Sequence, residues 1–153
     1  MMQYEAELRN FLVEAKQNTY AAGGGTQAEP SRLGAKDYPY VSGNYQYLDS
    51  YVGELDFAGQ EVVWKDDKSV WAMNYYGTTI DPIEGFPEFL FEALKQVSLE
   101  APFRGPTHYS SDPFEYICFW TGGLGKFSGE EKIIYQGKVI FSLLFHGGNV
   151  KYV

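Results

Sequence analysis

The period of the apolar and polar positions changes several times along this chain, and each change marks an element. Leu8, Phe11, Leu12 and Ala15 recur at helical spacing, with Glu5, Glu7, Arg9 and Lys16 on the other side. That is the pattern of an amphipathic helix. Phe89, Leu90, Ala93, Leu94 and Val97 repeat it farther on, and Pro87 stands where a first helical turn tolerates proline. After each helix the period falls to two. Tyr45 to Gly53 and Phe114 to Gly122 carry alternating aromatics bounded by glycine, which predicts a strand in each place, and a hairpin of two further strands follows each.

The two halves match in sequence as well as in pattern. Phe57-Ala58-Gly59-Gln60-Glu61, with Val63, Val70, Trp71, Tyr75 and Gly77, returns 70 residues later as Phe127-Ser128-Gly129-Glu130-Glu131, with Ile133, Ile140, Phe141, Phe145 and Gly147. An ungapped match of this kind argues for two copies of one supersecondary unit. The first copy is longer between helix and hairpin, and the excess falls in the Gly-rich stretch 18–44. The predicted fold class is therefore α+β: a duplicated helix-strand-strand-strand repeat with pseudo two-fold symmetry, the helices packed on antiparallel sheet. One domain, 1–153, is expected, with repeat one over about 3–80 and repeat two over about 86–153.

The hairpins can be given a register. Gln136-Gly137 suits a two-residue loop, and Asp66-Asp67 occupies the same place in the first copy. Counting outward, Val62 faces Trp71 and Glu61 faces Ala72, while Lys132 faces Phe141 and Glu131 faces Ser142. Trp71, Met73 and Tyr75, with Phe141, Leu143 and Phe145, then form a continuous apolar face on which Lys132 is a misfit. The opposite face carries Glu61, Asn74 and Tyr76 in one copy and Glu131, Leu144 and His146 in the other. Each acid there lies opposite a small residue, beside Gly59 or Gly129, so a concave site is expected on that face.

Charge and cysteine content narrow the partners. Twenty acidic against 12 basic residues give a formal charge of −8, which repels nucleic acid and anionic lipid. Cys118 is the only cysteine and sits among Ile117, Phe119 and Trp120, so it is expected as an inert buried thiol, and a cytoplasmic location follows. The first residues lack a signal-peptide pattern, and no apolar run is long enough to span a bilayer. With two histidines and one cysteine, no structural zinc spacing exists. No metal or cofactor is expected.

Glu61 and Glu131 are candidates for a symmetric acid pair, serving a cation, hydroxyls or acid/base chemistry; the competing view makes them ordinary strand residues. His146, beside Gly147-Gly148, is a candidate donor or base. Arg32 and Arg104 are candidate anion clamps or structural ion-pair partners. Gly23-Gly24-Gly25 follows a helix and lacks a P-loop lysine, so it is read as a loop.

The strings Pro30-Ser31-Arg32, Tyr47-Leu48-Asp49-Ser50-Tyr51, Val70-Trp71-Ala72-Met73-Asn74-Tyr75, Arg104-Gly105-Pro106 and Phe145-His146-Gly147-Gly148, with the repeated Phe-x-Gly-x-Glu strings, resemble the bacterial family called domain of unknown function 5680. That family has no assigned catalytic residues to carry over. Some members carry the domain behind an XRE-type helix-turn-helix, so the resemblance implies an effector-sensing module; here the first helix leads straight into the repeat. The element order is also similar to a shifted version of the duplicated GyrI-like effector-binding fold, which places ligands between its halves. The function expected is a cytoplasmic small-molecule-binding or effector-sensing domain using Glu61, Asn74, Tyr76, Glu131, His146, Arg32 and Arg104. The alternatives are a small hydrolase or isomerase with Glu61 or Glu131 as base and His146 assisting, and a structural or interaction module that forms a homodimer through its aromatic face.

Overall fold

The computed structural model describes residues 3–19 and 26–153. The Gly23-Gly24-Gly25 loop therefore lies outside the described residues. Helix α1 spans Gln3–Gln17 and α2 spans Phe86–Leu94; the strands are β1 Lys36–Ser42, β2 Tyr45–Gly53, β3 Asp56–Lys65, β4 Lys68–Thr79, β5 His108–Ser111, β6 Phe114–Gly123, β7 Lys126–Tyr135 and β8 Lys138–Asn149. All eight strands join one antiparallel sheet in the order β1-β2-β3-β4-β8-β7-β6-β5. The architecture is α+β. Each half carries four strands after its helix, not three. The extra ones are β1, within the stretch read as an insertion, and the four-residue β5.

Both helices cover the same face of the sheet. From α1, Phe11 stacks on Tyr45, with ring centroids 5.0 Å apart; from α2, Phe86 meets Phe141 at 5.2 Å and Phe89 stacks on Phe114 at 5.1 Å. Helix α2 starts from Gly85, whose φ of 89° places it in the left-handed region that glycine enters without a steric penalty. Among the described residues the opposite face carries no helix, and it exposes Tyr76, Leu144 and Phe119. No helix among the described residues is long and apolar enough to cross a membrane.

The two hairpin loops fall where the turn residues put them. Asp66 and Asp67, and Gln136 and Gly137, all take positive φ between paired Lys65 and Lys68 and between paired Tyr135 and Lys138. The register above them differs from the simple count. A bulge between Val63 and Trp64 makes Val63 the partner of Trp71, and one between Ile133 and Ile134 makes Ile133 the partner of Phe141. Val70 and Ile140 are the extra residues. Since a one-residue slip exchanges faces, Glu61 now faces Met73 and Glu131 faces Leu143, both on the apolar side. Lys132 faces Ser142 on the outer side and pairs with Glu130 at 3.2 Å, so it is no misfit. The expected acid-bearing outer face is overturned by these bulges.

A second correction concerns α1. Lys16 belongs to its buried side, together with Leu8, Phe11, Leu12 and Ala15, and is fully covered. Such burial requires a partner for the ammonium group.

Candidate functional site

The bulges bring two carboxylates into the apolar layer, and each is met there by a cation and a phenol. Lys16 Nζ lies 2.9 Å from Glu61 Oε1 and donates to the Phe103 carbonyl at 2.5 Å. The Tyr47 hydroxyl donates to the same Glu61 oxygen at 2.6 Å. Arg104, between α2 and β5, forks onto Glu131, with Nε 3.1 Å from Oε2 and Nη2 2.8 Å from Oε1. The Tyr116 hydroxyl donates to Glu131 Oε2 and accepts the Gly105 N–H at 2.9 Å. Burial lowers the Lys16 ammonium from its ordinary value, against the opposing pull of Glu61. Burial and the Glu131 charge together push the Tyr116 phenol well up.

The halves diverge one position along from these pairs. Across from Glu61 stands Asp49, whereas across from Glu131 stands Cys118. Across from Gly59 stands Tyr75, whereas across from Gly129 stands Phe145. The Tyr75 ring lies over Gly59, where a Cβ would overlap it, and its hydroxyl donates to Asp49 Oδ1 at 2.6 Å. Asp49 is 3% exposed. Its carboxyl is pushed up to about 7, first by burial and then by the facing charge of Glu61, over the opposing effects of Tyr75, Arg104 and Lys16. One Glu61 oxygen, Oε2, is buried and has no donor among the described residues, so its charge is incompletely compensated. In the second half Cys118 is buried, and desolvation followed by the Glu131 charge pushes its thiol up to about 12. A thiol held in that form is unreactive.

Asp49, Tyr75 and Arg104 line a cleft of about 600 Å³ between α2 and the first four strands. This volume lies within the range of small-molecule sites, roughly 300–1,000 Å³. One wall is a run of rings: Tyr38 stacks on Tyr51 at 6.3 Å, and Phe57 meets Tyr51 at 6.1 Å and Tyr75 at 6.0 Å, edge to face. Helix α2 supplies Leu90, Phe91 and Leu94 on the other side, and the lining also includes Lys36, Glu54, Glu84 and Glu88, all exposed. Among the described residues, no group of three or more His, Cys, Asp and Glu is placed to hold a metal ion.

The residues singled out from sequence separate onto two faces. Glu61, Glu131 and Arg104 are on the inner one, Arg104 forming part of the cleft lining. Asn74, Tyr76 and His146 are on the outer one, where Asn74 accepts a hydrogen bond from Gln60 at 2.8 Å and lies across from exposed His146. Arg32 stands apart. It donates to Ser50 Oγ at 2.8 Å, and Ser50 in turn donates to Asp37 at 2.7 Å. Burial would raise the Asp37 carboxyl, but hydrogen bonds from Ser50 and Ser31, with Arg32 nearby, bring it below its ordinary value. The other histidine, His108, is exposed and lies 2.7 Å from Glu115.

Asp49, Tyr75, Tyr47 and Lys16 were not among those residues. A signal for Asp49 and Tyr47 was present: Tyr47 and Tyr116 match between the copies, and Asp49 is an acid inside an otherwise aromatic strand. The seating of Tyr75 over Gly59 predicts that Gly59→Ala displaces the ring from Asp49 and destabilises the protein by about 1–3 kcal/mol, as overpacking does. Urea denaturation checks this. Gly123→Ala, where a Cβ meets nothing within 4 Å, is the control and is expected within about 0.5 kcal/mol of the parent.

The family described as domain of unknown function (DUF5680) matches residues 49–150, two thirds of the chain. The chain belongs to the DUF5680 family. The matched span includes Asp49, Glu61, Tyr75, Arg104 and Glu131; Lys16 and the β1 part of the wall precede it. No curated protein and no solved structure matches the chain.

Proposed function

We propose that this DUF5680 chain is a cytoplasmic small-molecule-binding or effector-sensing domain whose ligand occupies the cleft between α2 and strands β1 to β4. The observation that carries this reading is a buried carboxyl at the floor of a cleft of about 600 Å³ with aromatic walls. A perturbed acid in a concave apolar site is a recurring mark of binding and catalytic sites. We further propose that the chain is one domain built from two copies of a helix-plus-strands unit related by a pseudo two-fold, whose first copy is specialised for the ligand. In support, the partners Phe57 with Gly77 and Phe127 with Gly147 recur at the same offset, while Asp49 and Tyr75 replace the apolar Cys118 and Phe145.

The enzymatic alternative draws its support from Asp49, whose carboxyl titrates near neutrality in the same cleft. It has no histidine to assist it there, because neither His146 nor His108 lines the cleft. The binding reading is therefore preferred. Thermal shift across a broad metabolite panel tests it. At least one compound is expected to raise the melting temperature of the parent, and Thr79→Trp, which fills the cleft from β4, is expected to abolish the rise. A panel without any shift, or a shift that survives Thr79→Trp in a folded protein, refutes the proposal.

A further inference from the structure

Among the described residues, the inner layer of the molecule holds one more acid than it holds cations. Its buried acids are Asp49, Glu61 and Glu131, and its buried cations are Lys16 and Arg104. Lys16 is engaged by Glu61 and the Phe103 carbonyl, and Arg104 by both oxygens of Glu131. Asp49 has a phenol as its hydrogen-bonding partner, at 2.6 Å, and no ion pair among the described residues. The chain outside the described residues contains no lysine or arginine side chain to make up the difference.

We infer that the cleft is built for a lipophilic organic cation, an aromatic ammonium, iminium or phosphonium group, with Asp49 as its counter-charge. This rests on the cleft reading proposed above and names its ligand class. Three features of the site converge on that chemistry. The side chain at the floor is an acid without a cation of its own. The wall formed by Tyr38, Tyr51 and Phe57 presents ring faces of the kind that attract cations and edges that pack on aromatic surface, while the Tyr75 ring beside them already carries the Arg104 guanidinium 5.7 Å from its centre. At the mouth, Glu54, Glu84 and Glu88 outnumber Lys36, so the local field favours a positive ligand, as does the net charge of the chain. An anionic ligand would meet the reverse: the guanidinium fork of Arg104 is already engaged by Glu131.

Binding of such a ligand is linked to protons at Asp49. The groups around that carboxyl are Glu61 from β3, Tyr75 from β4, Arg104 from the segment before β5 and Lys16 from α1. Tyr38 lies opposite it on β1, and Lys36, Glu54, Glu84 and Glu88 complete the charged lining of the cleft. The Asp49 carboxyl is held near neutrality by burial and by Glu61. A permanent cation therefore meets a protonated, uncharged floor at pH 6 and an ionised one at pH 8.

The test is calorimetric titration of the full chain with three probes of similar shape: tetraphenylphosphonium, tetraphenylborate and neutral triphenylphosphine oxide. At pH 8 the phosphonium is expected to bind about tenfold or more tighter than the neutral probe, and the borate not to bind. Asp49→Asn removes this preference while keeping the fold, as the melting temperature reports. The surface variant Glu54→Gln, Glu84→Gln, Glu88→Gln weakens the phosphonium by a smaller, salt-dependent factor. Between pH 6 and pH 8 the phosphonium affinity rises about fivefold or more in the parent and stays flat in Asp49→Asn. Equal affinity for the three probes, or an unchanged preference in Asp49→Asn, overturns the cation assignment and leaves the cleft as a site for another ligand. No binding by any probe overturns it as well, and the metabolite panel then judges the cleft on its own.

Discussion

Replacing Glu131 by leucine is expected to destabilise the protein by about 3–5 kcal/mol, which is the range seen when one partner of a buried ion pair is removed. The reason lies in what remains. Arg104 is only 5% exposed, and without the carboxylate its Nε and Nη2 lose both of their bonds to Glu131. The Tyr116 hydroxyl loses its acceptor at the same time. Urea denaturation at neutral pH reads the loss as a lower midpoint at an unchanged slope. The double variant Arg104→Met, Glu131→Leu separates pairing from packing, because it removes both charges and keeps the side-chain volume similar. It is expected to recover most of the loss. A double variant as unstable as the sum of the two singles would show that the pair contributes nothing as a pair.

The second large effect is a dependence of stability on pH that runs opposite to the usual one for a carboxylate. Asp49 has an ordinary value of 3.8 and is held at about 7 in the folded protein. The folded state therefore binds a proton that the unfolded state has released across the interval between those values. Its contribution is fully present below about pH 4, falls as pH rises and levels off above pH 7. At about 1.36 kcal/mol per pH unit the whole fall is on the order of 4 kcal/mol. Asp37 is shifted the other way, below its ordinary value of 3.8, so its contribution changes below about pH 4 and outside this interval. The quantity to measure is the difference between the parent and Asp49→Asn in urea denaturation from pH 4 to pH 9. Asp49→Asn is expected to gain on the parent throughout that interval and to be the more stable of the two at pH 8. A difference that does not change with pH would show that Asp49 titrates alike in both states.

Much of this fold was legible along the chain because local signals and the global arrangement agree. Both helices, the aromatic strands β2 and β6, and both two-residue hairpin loops were found at their places. Strands β1 and β5 were not. Tyr38 and Tyr40 do alternate with polar or turn residues, but the surrounding Gly and Pro masked a strand whose pairing with β2 is set by tertiary context. The faces of the hairpins failed for a single reason. Turn chemistry fixes where a hairpin begins, whereas a bulge is an irregularity in the ladder without a strong residue preference of its own. Its trace was the apparent misplacement of Lys132, which the observed register removes by turning that side chain outward.

The candidate site was correspondingly half visible. Glu61, Glu131 and Arg104 drew attention because they recur or carry a fork of donors, and all three are buried around the cleft floor or beside it. Asn74, Tyr76 and His146 were grouped with the acids by the simple register, and the sheet puts them on its other side. Lys16, four residues beyond Leu12 and eight beyond Leu8, borders the apolar stripe by spacing, and its charge was the reason for reading it as solvated. Only the presence of Glu61 in the layer beneath α1 gives an ammonium a reason to be there.

The bulges at Val70 and Ile140 also bear on how such a sheet tolerates insertion and deletion. A strand assigns its side chains by parity, odd positions to one side and even to the other. Each bulge is a single change of parity in the strand that faces the acid, placed between the turn and the residue paired with the acid. Length changes of two residues beyond the bulge preserve the inside and outside of the hairpin, whereas a change of one exchanges them. The chemistry of this protein therefore depends on an arithmetic property of its strands as much as on the identity of the residues they carry.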